Sequence, residues 1–237
     1  MYKRQAWFSS NFLKGAPELD KNIVRPYIKM LLPLLNNSLN SDIIEELIWM
    51  FNYYLDVPEP DYIFINNLGI YKFFKKVFES NQMKTVHPIL RIFGKLSLGN
   101  SQIIQGFLDE KFKNALIIKI NSIHSGIQED ALWTLSNIIL TGTNECTFMS
   151  DPRTINLIRD IALNNQKSFQ VRNNALLVFK SYFFQFGISQ REELVFEYGY
   201  IDCIFMAFNS FNQELVDTGL TCIEEILIHA FKVHNNK

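Results

Sequence analysis

Three tryptophans, each followed one helical turn later by a polar or aromatic side chain, carry most of the chemical meaning in this 237-residue sequence. Trp7 is paired in this way with Asn11, Trp49 with Tyr53, and Trp133 with Asn137. Residues four apart share one face of a helix. A carboxamide on that face can hold the backbone of an extended peptide, because it donates and accepts hydrogen bonds at once. Flanking indoles form walls along which a Lys or Arg stem can run, with its cation near a ring face. Carboxylates at the edge would then receive the charged head. Glu46 and Asp130 each precede a tryptophan by three residues, and Asp42 lies one turn before Glu46. The chemistry in this pattern is recognition of an extended basic peptide. A tryptophan at helical spacing equally suits a core, and a carboxylate a solvated face.

Bond-making machinery is not apparent. The sequence has no Gly-rich phosphate loop and no His-Glu-x-x-His, and His87, His124, His229 and His234 lack ligand spacing. Cys146, Cys203 and Cys222 are an odd number without metal spacing, which suggests reduced thiols, and Cys203 and Cys222 read as small core residues. Glu192/Glu193 and Glu224/Glu225 are adjacent, so they diverge around a helix. The expectation is a protein that is not an enzyme and uses no cofactor or metal. Lys72, Lys75, Lys76, Lys84, Arg91 and Lys95 form a local basic cluster. Lys and Arg (23) nevertheless balance Asp and Glu (24), so a nucleic-acid partner is not expected. No apolar run reaches the roughly 18 residues of a membrane span, and the start Met-Tyr-Lys-Arg-Gln-Ala-Trp is unlike a leader. A soluble intracellular protein without a membrane partner is expected.

The elements that position the ladder repeat. Trp133 lies 42 residues after Arg91, which lies 42 after Trp49, which lies 42 after Trp7; Leu177 and Thr221 follow at steps of 44. Each position sits in a long apolar helix, such as the one holding Ile43, Leu47, Ile48 and Phe51, or that holding Ile127, Ala131, Leu132 and Leu135. A polar loop follows, for example 141–145 or 56–61 with Pro58 and Pro60. Then come a short helix (62–68), a tight turn at Gly69 or Gly199, and a second apolar helix over 70–79, 114–120, 155–163 or 200–208. Helix 23–35 is its counterpart in the first period. A polar break at 36–42 precedes the next long helix, which Ser41 or Asp42 can cap. Three helices in each period define an all-α chain, an α-solenoid. Ten glycines and seven prolines are too few for an all-β alternative.

The long helix reading apolar-Trp-x-x-Ser/Gly-Asn resembles an armadillo repeat, and the order of its variants resembles importin α (karyopherin α). That family's ladder runs Trp/Asn, Trp/Tyr, Arg/Asn on a Pro-x-Leu-Arg helix, then Trp/Asn; here the pairs are Trp7/Asn11, Trp49/Tyr53, Arg91/Lys95 within Pro88-Ile89-Leu90-Arg91, and Trp133/Asn137. The resemblance covers residues 7–149; residues 150–237 keep the period without the signature. It implies a single armadillo-repeat domain over 1–237, a right-handed superhelix of about five and a half three-helix repeats of 42–44 residues. It also implies a nuclear-import adaptor in cytoplasm and nucleus, binding basic nuclear-localisation-type peptides of cargo proteins. The implied contacts are Trp133, Asn137, Asp130, Arg91, Trp49, Tyr53, Glu46, Trp7, Asn11 and Gly99.

The departures point elsewhere. Lys95 replaces a carboxamide, Leu177/Ser181 and Thr221/Glu225 replace Trp/Asn, and Asn174 stands where the family has an acid. Leu98-Gly99-Asn100-Ser101 keeps the family's glycine without the acid beyond it. Nothing here corresponds to the family's basic importin-β-binding segment, so the resemblance implies either part of a longer adaptor or a diverged copy of its C-terminal half. The alternative function is a scaffold subunit of a larger protein assembly that has lost cargo binding. Helix 2–13 is expected to show an apolar flank, which suggests a covering partner.

Overall fold

The computed structural model describes residues 2–14, 20–37, 40–57, 59–80, 83–99 and 101–235. Pro58 and Asn100 lie outside them, as does part of the 36–42 break. Among the described residues every regular element is a helix. The chain gathers into two compact units, residues 1–115 and 116–237.

The first unit holds α1 (Tyr2–Leu13), α2 (Lys21–Asn37), α3 (Ser41–Tyr54), α4 (Tyr62–Leu68), α5 (Tyr71–Glu79), α6 (Met83–Ser97), α7 (Ser101–Gln105) and the start of α8 (Glu110–Ile120). Its long helices pack in succession, α1 on α3 and α3 on α6. On α6, Phe93 joins a cluster of rings, 4.7 Å from Phe107, 4.8 Å from Phe112 and 5.7 Å from Phe78. All four are essentially solvent-free, and each contributes about 1.5–3 kcal/mol by leaving water. Aromatic residues make up 14% of the chain, and these four have a structural use.

The helix ends follow from local chemistry. Asn40, not Ser41 or Asp42, caps α3: its Oδ1 accepts from the Asp42 and Ile43 amides at 2.9 and 3.4 Å. Ser41 and Asp42 already lie within the helix, and the Asp42 carboxylate is engaged by lysines. Asp61 caps α4 through the Phe64 amide at 3.2 Å. Gly69 ends α4 at φ 63°, the left-handed region in which a glycine is unstrained.

The second unit holds the end of α8, then α9 (Ser125–Thr141), α10 (Thr143–Met149), α11 (Pro152–Leu163), α12 (Phe169–Gln185), α13 (Ile188–Phe196), α14 (Tyr200–Phe208) and α15 (Gln213–Asn235). Here α9 packs on α12 and α12 on α15. The expected loop 141–145 shrinks to Gly142, because Thr141 completes α9 and α10 begins at Thr143. Asp151 caps α11, with Pro152 in the first turn where its missing N–H costs nothing. Ser168 caps α12. Tyr182 is buried and donates its hydroxyl to the Met149 carbonyl at 2.7 Å, and Phe179 stacks on Tyr200 at 5.4 Å. All three cysteines are free and buried.

Candidate peptide-binding ladder

The six ladder positions fall one to a helix on α1, α3, α6, α9, α12 and α15. In the first unit Trp7 is 59% exposed, while Trp49 is half-buried. Trp49 and Tyr53 stack, 5.7 Å between centroids and 25° between planes. The Lys14 ammonium lies 5.9 Å from the Tyr53 centroid, within cation–π range. Asn11 is exposed and spends one amide proton on the Trp7 carbonyl at 2.8 Å. Arg91 stands exposed on α6.

The acids of this unit are not waiting at an edge. Ser10 on α1 donates to Glu46 at 2.6 Å. Asp42 is gripped from both sides, by Lys3 of α1 and Lys84 of α6, each at 2.8 Å. Hydrogen bonds from these two ammoniums hold the Asp42 carboxyl down at about 2. Burial pushes the Glu45 carboxyl above its ordinary value. Lys95 does not project a cation into open space. Its side chain is 12% exposed, and its ammonium meets the Asn52 backbone oxygen and Oδ1, both at 2.9 Å, and Asp56 at 3.0 Å. Lys75 pairs with Asp109 and Glu79. Three of the six cations in the basic cluster read from sequence, Lys75, Lys84 and Lys95, are thus answered by carboxylates of the same unit.

Gly99 has a packing role. A Cβ there would stand 3.0 Å from Cγ and Cδ1 of Tyr62, so the glycine lets the turn after α6 approach that ring.

In the second unit Trp133 is half-buried, Asn137 is 8% exposed and Asp130 is half-buried. Asn137 lies among the buried residues of α9, which is enclosed along most of its length. Asn174 donates from α12 to the Glu129 carbonyl of α9 at 3.1 Å, a link between neighbouring repeats in place of an acid. Ser181 turns back on the Leu177 carbonyl at 2.9 Å. Thr221 and Glu225 both face Lys180, whose ammonium lies 3.3 Å from each. Lys3, Lys84 and Lys180 went unrecognised as ladder residues in the sequence. The signal was present: Lys84 lies 42 residues after Asp42 and Lys3 lies 39 before it, one repeat on either side.

Among the described residues no group of three His, Cys, Asp or Glu could hold a metal ion. No helix among them is long and apolar enough to cross a membrane.

No protein family and no curated protein matches the chain by sequence. Solved structures do match. A designed armadillo repeat protein superposes with a TM-score of 0.76 at 13% identity, covering 94% of this chain and 92% of its own. A second, in complex with the peptide (KR)4, gives 0.78 at 13%, covering 94% and 90%. A further engineered protein gives 0.80 at 17%, covering 96% and 90%. The fold is therefore that of an armadillo-repeat solenoid.

Proposed function

We propose that this protein is a non-catalytic, peptide-binding armadillo solenoid of the importin-α kind, an adaptor for proteins that display extended basic segments, moving between cytoplasm and nucleus. The observation that carries the reading is the placement of the indoles. Trp7, Trp49 and Trp133 recur on the repeat period, and all three stay outside the buried core. A tryptophan kept at a surface in a regular row is suited to partner contact. The structural neighbour solved with a Lys/Arg peptide supports the choice of a basic ligand. In this reading Trp133 and Asp130 receive one cation-bearing residue, and Trp49 and Tyr53 another.

A second reading has its own support. Lys3 and Lys84 on Asp42, Lys95 on Asp56 and Lys180 on Glu225 neutralise carboxylates on or beside the ladder helices. A ladder filled from within suits a scaffold held in a larger assembly, with cargo binding lost. Fluorescence anisotropy of labelled (KR)4 with wild type and Trp133→Ala separates the two. Binding tighter than about 100 μM, lost in the variant and weakened by salt, supports the adaptor. Absence of binding by folded wild type assigns the chain to the scaffold reading.

A further inference from the structure

Arg191 on α13 and His229 on α15 meet in the second unit in a contact that leaves two hydrogen-bond donors over. One Nη of Arg191 lies 3.0 Å from Nδ1 of His229, and the other donates to the Phe184 carbonyl at 2.9 Å. The guanidinium also covers the Phe183 ring at 5.2 Å, and the imidazole packs edge-on against the same ring at 5.5 Å. Arginine has only donors and keeps its charge, so Nδ1 of His229 must be the acceptor and the imidazole proton resides on Nε2. Burial and the adjacent Arg191 charge hold the His229 pKa below its ordinary value, which favours this neutral tautomer. Nε2 of His229 and Nε of Arg191 are nevertheless both buried and without an acceptor. A polar group left unsatisfied in this way is costly, and two on one contact call for a reason.

Both side chains line a cleft of about 290 Å³ between α13 and α15, at the small end of ligand pockets. The remaining walls are chiefly apolar, with Val195, Phe196, Ile226 and Val233. Phe196 is 78% exposed at its rim. Glu192, the acidic residue of the lining, bonds to neither leftover donor. A group that answers two N–H donors beside a guanidinium is a carboxylate, and these walls ask for an apolar body attached to it. So small a cleft suits the end of a chain better than a chain passing through.

We propose that the α13–α15 cleft binds the carboxy-terminus of a partner peptide that ends in an apolar residue. The terminal carboxylate accepts from Nε of Arg191 and Nε2 of His229, and the last side chain lies among Val195, Ile226 and Val233. The two donors are closed to solvent in the empty cleft, so both side chains turn toward the ligand as it enters. This site is separate from the ladder and does not depend on its function.

The test is anisotropy with a labelled peptide ending in Gly-Ser-Gly-Phe-Leu, as free acid and as carboxy-terminal amide. A Kd below about 100 μM is expected for the acid. The amide, and the His229→Phe variant that keeps the ring on Phe183, should each bind about tenfold or more weakly. Trp133→Ala should leave this binding unchanged, and thermal melts confirm that each variant is folded. Equal affinity for acid and amide, no effect of His229→Phe in folded protein, or no binding by wild type overturns the proposal. Displacement by octanoate as effective as by the peptide assigns the cleft to small apolar acids and overturns the peptide.

Discussion

Lys95 reaches from α6 to α3 and sets its ammonium 2.9 Å from both the backbone oxygen and the Oδ1 of Asn52. Asn52 is buried, and Lys95 itself is only 12% exposed on its side chain. The lysine thus does between neighbouring repeats what a carboxamide does for a bound peptide: it satisfies a buried backbone oxygen near the end of a helix. Replacing Lys95 with Met removes the donor and leaves a buried acceptor. The expected loss is about 1–3 kcal/mol, read from urea unfolding. A loss below about 0.5 kcal/mol would show the bridge to be incidental.

The Asp42 clamp predicts a pH signature. Its folded pKa of about 2 lies below the ordinary 3.8. The folded state therefore holds the carboxylate more strongly than the unfolded chain does. The stabilisation is present above about pH 4 and is lost as pH falls toward 2. In Asp42→Asn the stability change over this window should flatten. Carbon-detected NMR titration should place the Asp42 midpoint well below the ordinary 3.8, and salt should raise it toward that value.

Lys180→Thr tests whether internal lysines compete with a peptide. The substitution frees Glu225 from its 3.3 Å partner. If the bound peptide reaches as far as Glu225, affinity for (KR)4 should rise about two- to fivefold, the scale of one partly exposed ion pair. An unchanged or weaker affinity places the peptide elsewhere than the Thr221/Glu225 position.

The cysteines should be silent in the native protein. Burial pushes the thiols of Cys146 and Cys203 up to about 12 and that of Cys222 up to about 11. Ellman's reagent at pH 8 should react with none of them until the chain is unfolded, and then with three. Rapid reaction of one thiol would mean that its helix opens locally.

The fold was legible in the sequence because periodicity is a global signal. Six positions 42 or 44 residues apart can be found without knowing any contact, and the helices fell where the apolar spacing put them. Boundaries were harder. Asn40 took the cap expected of Ser41 or Asp42, and α10 began within the expected loop, since one residue's φ and ψ decide such ends. The site was half legible. Residue type and spacing marked Trp49 beside Tyr53, and these rings do stack. What a side chain touches depends on neighbours a whole repeat away, so the burial of Asn137, the hold of Ser10 on Glu46 and the packing of Tyr62 over Gly99 could not be read locally.

The lysines that sit on Asp42, Asp56 and Glu225 have a thermodynamic consequence for any cationic visitor. A peptide lysine arriving at one of these carboxylates makes no additional ion pair; it exchanges one ammonium for another. The number of neutralised acids stays fixed, so at such a step ionic strength acts on both sides of the equilibrium almost alike. What the newcomer gains must then come from its stem against the indoles and its backbone against the carboxamides. A solenoid built in this way would weigh the shape of a partner more heavily than its charge.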